Sequence, residues 1–103
     1  MSLFKRSSVS VTEAWDRTGD GAVIIDVREK HELTTGTPRG AQHLPMQRVE
    51  RRISTLEGKE VLVICRSGNR SATVTRFLRS QGIDAHNVRG GMAAWRRAGL
   101  PTR

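Results

Sequence analysis

The sequence has few cysteines and no long apolar run, and each shortage excludes a class of protein. One cysteine in 103 residues excludes a disulfide-stapled scaffold and any cage of several cysteines around zinc or an iron–sulfur cluster. No apolar run approaches the roughly 18–20 residues that cross a membrane, and residues 1–10 lack the apolar segment of a secretory signal. The length suits one domain. We therefore expect a soluble, cytoplasmic protein with no membrane partner.

Aromatic residues are also scarce, and this shortage bears on the strong positive charge. The chain has 18 Lys+Arg against 10 Asp+Glu, which gives a formal net charge of +8, and fifteen of the basic residues are arginines scattered along it. Aromatic residues make up 4% with no tyrosine, so platforms for stacking bases are few. No helix-turn-helix, zinc-finger or RNA-binding motif is recognisable. We expect no nucleic-acid binding, and interpret the basic surface as suited to a small anionic substrate or an acidic partner protein.

Apolar runs alternate with amphipathic segments along the chain. Residues 22–27 and 61–64 are nearly continuous apolar runs, which are typical of strands buried on both faces, and residues 83–88 predict a further short strand. Apolar residues at helical spacing predict helices over residues 49–56 and 71–81, each followed by a glycine. Strands that alternate with helices favour an α/β fold whose sheet is mostly parallel and covered by helices on both faces.

One loop combines a cysteine with groups able to activate it. Cys65 follows the second apolar run directly, at the carboxyl end of a strand, where ligands of open α/β sheets lie. A short loop with Gly68 then leads to a helix expected to begin near Ser71, whose N-terminus carries free N–H groups and a partial positive charge. Loop amides, this dipole, Arg66 and Arg70 would all stabilise a thiolate and lower its pKa. We expect Cys65 to be largely ionised at neutral pH. The alternative is an inert thiol buried in the core, but that interpretation does not explain why two arginines and a glycine-containing loop follow the cysteine.

Other residue types give no sign of a bound cofactor. The three histidines, His31, His43 and His86, share no metal-ligand spacing, and Gly90 with Gly91 is too little for a dinucleotide site. We therefore expect no metal and no cofactor.

Four short stretches, in order along nearly the whole chain, match the motifs of one family. They are residues 24–29 (Ile-Ile-Asp-Val-Arg-Glu), 40–45 (Gly-Ala-Gln-His-Leu-Pro), 65–70 (Cys-Arg-Ser-Gly-Asn-Arg) and 89–95 (Arg-Gly-Gly-Met-Ala-Ala-Trp). Together they resemble the single-domain rhodaneses, a family of sulfurtransferases. The resemblance implies a rhodanese-like domain over residues 7–103, with about five mostly parallel strands and helices on both faces, after a flexible start over residues 1–6.

The chain departs from the family pattern at one place. Where the family usually has Gly-His-Ile-Pro before the Gly-Ala motif, this sequence has Gly36-Thr37-Pro38-Arg39. The missing histidine and the shifted proline concern the conformation of that loop and leave the cysteine loop unaffected.

Among proteins that resemble rhodaneses, the length of the cysteine loop distinguishes sulfurtransferases from phosphatases. Sulfurtransferase relatives have a six-residue loop counted from the cysteine, and Cdc25-like phosphatases have seven. Here the loop from Cys65 to Arg70 has six residues, and position 71 is serine where Cys-x5-Arg phosphatases have arginine. The resemblance therefore favours sulfur transfer over phosphate hydrolysis.

The resemblance implies a reaction and a set of site residues. Cys65 would take a sulfane sulfur from an anionic donor such as thiosulfate and pass it, as a persulfide, to a thiol or cyanide acceptor. The loop residues that would surround this sulfur are Arg66, Ser67, Gly68, Asn69 and Arg70. Asp26 and Arg28 would support the site, with Asp26 accepting loop hydrogen bonds and Arg28 pairing with an acid such as Glu32. An alternative stays open, in which the domain is a sulfur-relay or regulatory module acting mainly on a partner protein.

Overall fold

The strands lie where the apolar runs predict them. In the computed structural model, which describes residues 6–103, five strands form one sheet in the order β1-β5-β4-β2-β3, and every pair is parallel. The strands are β1 Ser8–Val9, β2 Val23–Asp26, β3 Gln42–His43, β4 Glu60–Ile64 and β5 Asp84–Val88. This confirms the predicted α/β fold. The flexible start predicted over residues 1–6 falls mainly on residues outside those described.

Helices cover both faces of the sheet, as predicted, although one of the predicted helices is divided into two shorter ones. The α-helices are α1 Val11–Thr18, α2 Ile53–Leu56, α3 Asn69–Ser80 and α4 Gly91–Arg97, and there are 3-10 helices at Lys30–Thr35 and Met46–Arg52. The single helix predicted over residues 49–56 is a 3-10 helix followed by one α-turn. It begins after Pro45, whose carbonyl oxygen accepts from the N–H of Arg48, the tighter bonding of a 3-10 helix.

The central strand β4 places its side chains alternately in two apolar layers. Val61 and Val63 pack with Leu78 of α3, whereas Leu62 and Ile64 pack with side chains of α1 and α4. These four apolar side chains are fully buried, which explains why the sequence here is continuously apolar rather than alternating. Within residues 6–103 no helix has both the length and the apolar character needed to span a bilayer. The cytoplasmic location stays a prediction.

The loop that departs from the family pattern is fastened to the last residues of the chain. An antiparallel bridge joins Pro38 to Thr102. Beside it, Thr37 and Arg103 exchange backbone hydrogen bonds of 3.2 and 3.0 Å. The loop conformation is therefore held by pairing with the C-terminal residues.

Removal of the largest buried side chain tests the second apolar layer. Trp95 is fully buried, its indole N–H donates to the Pro101 carbonyl at 3.0 Å, and its ring meets that of Trp15 edge-on at 6.0 Å. We expect Trp95→Ala to lower the free energy of unfolding by about 3–5 kcal/mol, since it leaves a cavity. Urea unfolding followed by circular dichroism measures this. The control Met46→Ala removes an exposed side chain and should change stability by less than about 0.5 kcal/mol; equal losses would contradict the assignment.

Candidate active site

The sulfur of Cys65 lies inside the turn between β4 and α3. The residue follows β4 directly, shares the apolar layer of Val63, and is 1% exposed. Its Sγ accepts hydrogen bonds from the backbone N–H of Gly68 at 3.1 Å and of Ser71 at 3.3 Å, and lies 3.2 Å from Ser71 Oγ. Gly68 has a φ of 111°, which favours glycine and turns the loop amides inward. The loop is therefore a cup of N–H groups around one sulfur atom.

This environment lowers the pKa of the Cys65 thiol. Burial is the largest single influence and raises the pKa, but hydrogen bonds together outweigh it. They come from the Ser71 hydroxyl and from the backbone N–H groups of Ser71, Gly68 and Ser67. Hydrogen bonds that favour the charged form shift a thiol toward thiolate. The cup therefore favours ionised Cys65.

The two arginines of the loop have different surroundings. Arg66 is exposed, and the Arg70 guanidinium binds the Glu32 carboxylate in a two-pronged contact of 2.6 and 2.9 Å. Glu32 raises the pKa of Arg70, burial partly offsets this, and the negative charges of Cys65 and Asp26 add to it. Arg70 thus fastens the first turn of α3 while its charge still acts on the sulfur.

Asp26 and Arg28 form a buried ion pair that holds the segment carrying Glu32. Asp26 is fully buried, Arg28 is 2% exposed, and their closest contact is 2.7 Å. Arg28 donates to the carbonyls of Glu32 at 3.1 Å and Gly36 at 2.7 Å, and the Thr37 hydroxyl donates to Asp26 at 2.7 Å. The expected partners were wrong in two respects: the carboxylate that Arg28 binds is Asp26 rather than Glu32, and the bonds that Asp26 accepts come from Arg28 and Thr37 rather than from the cysteine loop.

The start of α4 binds the outer side of the cysteine loop. The N–H of Met92 donates to the Cys65 carbonyl at 2.9 Å, and the N–H of Ala93 donates to the Arg66 carbonyl at 3.2 Å. Gly91 permits this approach, because a Cβ there would lie 2.5 Å from the Cys65 carbonyl oxygen and 2.6 Å from that of Arg66. The second glycine of the motif at residues 89–95 is therefore a site of close packing.

Two residues of the site were not predicted as such from the sequence. Ser71 was expected only to begin the helix, but α3 begins at Asn69 and the Ser71 side chain faces the sulfur. Asn87 of β5 accepts from the Ser71 hydroxyl at 2.5 Å. Its signal was a polar residue two positions after buried Ala85, on the same face of a strand.

One group of side chains has the composition of a metal site. One ligand atom each of Glu60, Asp84 and His86 lies within 4.8 Å of the others, because Glu60 and Asp84 are register partners on adjacent strands. These atoms already have partners. Glu60 binds Arg17 at 2.5 Å, and His86 contacts Asp84 at 2.9 Å. The atoms that would bind a metal are therefore already in contact with protein groups.

Comparison with known protein families gives a match over most of the chain. The family model described as the rhodanese-like domain matches residues 10–98. The chain belongs to the rhodanese-like domain family.

Several relatives of this rhodanese-like domain are named sulfurtransferases. The chain is 33% identical over 98 residues to the thiosulfate sulfurtransferase GlpE of Actinobacillus pleuropneumoniae, which covers 92% of this chain and 91% of the relative. It is 36% identical over 84 residues to a sulfurtransferase of Allochromatium vinosum, which covers 80% and 78%. A rhodanese-related protein from Thermoplasma volcanium superposes with a TM-score of 0.85 at 30% identity, which covers 93% and 96%. These relatives support a sulfurtransferase function.

A methyl group at position 91 tests the contact between α4 and the cysteine loop. We expect Gly91→Ala to destabilise this rhodanese-like domain by about 2–4 kcal/mol and to return the pKa of Cys65 toward its ordinary value, since the loop must move. Thermal unfolding and the pH dependence of thiol alkylation measure the two effects. Gly99→Ala is a matched control, because Gly99 also has a positive φ but open space around it. It should cost about 1 kcal/mol without changing the thiol. A normal thiol in Gly91→Ala would contradict the role of this contact.

The ion pair between Glu32 and Arg70 predicts a stability difference that depends on pH. The Arg70 guanidinium lowers the pKa of Glu32 from 4.5 to about 2. A lowered carboxylate pKa adds stability above the ordinary value and loses it as the pH falls from about 4.5 toward 2. We expect Glu32→Gln to be less stable by about 0.5–1 kcal/mol at pH 7, because the pair is partly exposed. Urea unfolding at several pH values should show the difference shrinking as the pH falls from about 4.5 toward 2; a difference that stays constant over this range would refute the assignment.

Proposed function

We propose that this domain moves a sulfane sulfur from an anionic donor such as thiosulfate to a thiol or cyanide through a persulfide on Cys65. The observation that carries the proposal is the cup of backbone N–H groups around Sγ, which lowers the pKa of the thiol. A nucleophilic cysteine needs this ionised form. The anionic donor is supported by the name of one relative, a thiosulfate sulfurtransferase, and by the net positive charge; the acceptor is what the resemblance to the family implies.

Two displacements complete the reaction. In the first, the Cys65 thiolate attacks the outer sulfur of thiosulfate; an S–S bond forms, the S–S bond of thiosulfate breaks, and its electron pair leaves with sulfite. In the second, cyanide or an acceptor thiolate attacks the terminal sulfur of the persulfide, and Sγ leaves as the thiolate. The chain has one cysteine, so the acceptor is an external molecule.

The proposed roles of the loop residues follow from their places. The amides of Ser67, Gly68 and Ser71 stabilise negative charge on sulfur. Exposed Arg66 attracts the anionic donor, since it lies next to the nucleophile and is directed to solvent. Arg70 holds the loop through Glu32. Asn69, the first residue of α3, completes the loop. No cofactor is part of this mechanism.

The supporting pair Asp26 and Arg28 acts at a distance from sulfur. It fixes the segment that presents Glu32, and Glu32 in turn fixes Arg70. We propose that both residues are structural supports rather than participants in the displacement.

A cluster of exposed basic residues favours a second candidate, transfer to an acidic partner protein. Arg48, Arg51 and Arg52 are exposed on one 3-10 helix and form no ion pair within residues 6–103. Such a surface would attract an acidic carrier. Poor turnover with cyanide, together with rapid transfer to an acidic partner, would favour this relay over free sulfurtransferase activity.

Intact mass is the decisive test of the reaction class. We expect incubation with thiosulfate, followed by removal of the donor, to add the mass of one sulfur atom, and cyanide then to release thiocyanate and restore the original mass. Cys65→Ala is the control and should show neither change. A chain that gains no sulfur and forms no more thiocyanate than Cys65→Ala would refute the proposal.

A further inference from the structure

Asn87 touches the cysteine loop from the neighbouring strand. Its position in β5 is the register partner of Val63, two residues before Cys65. The Asn87 Oδ1 accepts from Ser71 Oγ at 2.5 Å, and its Nδ2 donates to the Gly68 carbonyl at 3.4 Å. The side chain therefore contacts two of the residues whose N–H groups bind the sulfur, Gly68 and Ser71.

The hydroxyl of Ser71 has one proton and two acceptors within reach. A hydroxyl donates one hydrogen bond, while Cys65 Sγ at 3.2 Å and Asn87 Oδ1 at 2.5 Å both face the Ser71 oxygen. In the thiol state all contacts are satisfied, since the S–H donates to Ser71 and Ser71 donates to Asn87. In the thiolate state the sulfur can only accept, so it competes with Asn87 for that proton.

We propose that Asn87 is a positioning residue for the proposed sulfur transfer: its side-chain oxygen competes with the Cys65 thiolate for the Ser71 proton and so limits how tightly the free thiolate is held. The proposal rests on the proposed function for its role in the reaction. The geometry that carries it is the placement of one hydroxyl between two acceptors.

This competition would favour the sulfur-loaded state. When a persulfide forms, the negative charge moves to the terminal sulfur and the inner Sγ becomes a neutral, weak acceptor. Hydrogen bonds to charged acceptors are about twice as strong as neutral ones, so the Ser71 proton then returns to Asn87. The competition therefore weakens the stabilisation of the free thiolate but not that of the persulfide. A less stabilised thiolate is a stronger nucleophile toward the donor.

Other charged groups around the sulfur are the same in every variant used below. Arg70 faces it from α3, and Asp26 acts on Arg70 from the end of β2. Glu32, on the 3-10 helix, is paired with Arg70. Changes at position 87 leave these groups in place. Asn87→Ala adds no charge, so its effect reports on the Ser71 proton. Asn87→Asp also adds a negative charge that raises the thiol pKa directly, and only the part of its effect that depends on Ser71 reports on that proton.

The pH dependence of alkylation measures the competition directly. Because the chain has one cysteine, the iodoacetamide rate reports Cys65 alone. We expect Asn87→Ala to free the Ser71 proton for the sulfur and so to lower the pKa of Cys65. At a pH where most of the thiol is protonated, the thiolate fraction should rise about fivefold, which is the effect of removing one competing hydrogen bond. Asn87→Asp keeps the shape, accepts more strongly, and should raise the pKa.

Combination with Ser71→Ala distinguishes competition from a structural role. In that background Asn87→Ala should change the thiol pKa no further, and the increase caused by Asn87→Asp should be smaller than in the presence of Ser71. If Asn87 only supports the loop, Asn87→Ala would raise the pKa, as would any loosening of the amides. That result, or an equal shift with and without Ser71, would overturn the proposal. If Asn87→Ala does not fold, the Asn87→Asp pair decides by the same comparison.

The alkylation test is independent of sulfur transfer. It uses no sulfur donor or acceptor, so a protein that forms no thiocyanate would still report the competition for the Ser71 proton. Conversely, a persulfide detected by mass together with an unchanged thiol pKa in the Asn87 variants would leave the proposed function intact and refute the role of Asn87.

Discussion

The peptide groups of one short turn bind in two directions, and the site depends on this arrangement. Toward the inside, the N–H groups of Gly68 and Ser71 reach Cys65 Sγ. Toward the outside, the carbonyls of Cys65 and Arg66 accept from the start of α4. A buried turn is stable only when both sets of polar groups have partners. The sulfur is therefore itself one of the acceptors that complete the turn, and its negative form is the better acceptor.

A second set of contacts, which begins at the end of the neighbouring strand β2, fixes the other end of the same turn. The buried pair of Asp26 and Arg28 organises the segment that presents Glu32, and Glu32 grips Arg70 at the beginning of α3. A buried ion pair is weak evidence for added stability; what the contacts of this pair show is that Arg28 binds the backbone of the segment that carries Glu32. Helix α4 and this ion-pair network thus hold opposite ends of one loop, and this keeps the N–H groups of the loop directed at the sulfur.

The sequence predicted the parts of the fold that depend on apolar patterning. Strands β2 and β4 are continuous apolar runs and were located correctly. Strand β3 was not located, because two exposed residues, Gln42 and His43, carry no apolar alternation. The cysteine loop could be found from its composition, but the role of Ser71 could not, since it depends on α3 starting at Asn69. Asn87 is distant in sequence, and only the register with Val63 brings it to the site.

The shortness of strand β3 has a consequence for how the molecule behaves among its copies. Its two residues form one border of the sheet, and the Arg103 guanidinium binds the carbonyl of the preceding Ala41. A long, flat, apolar border would offer unpaired peptide groups to another molecule and invite aggregation. Here that border is brief, polar and partly occupied by the C-terminal arginine. This edge of the sheet therefore offers few free peptide groups for pairing with another molecule.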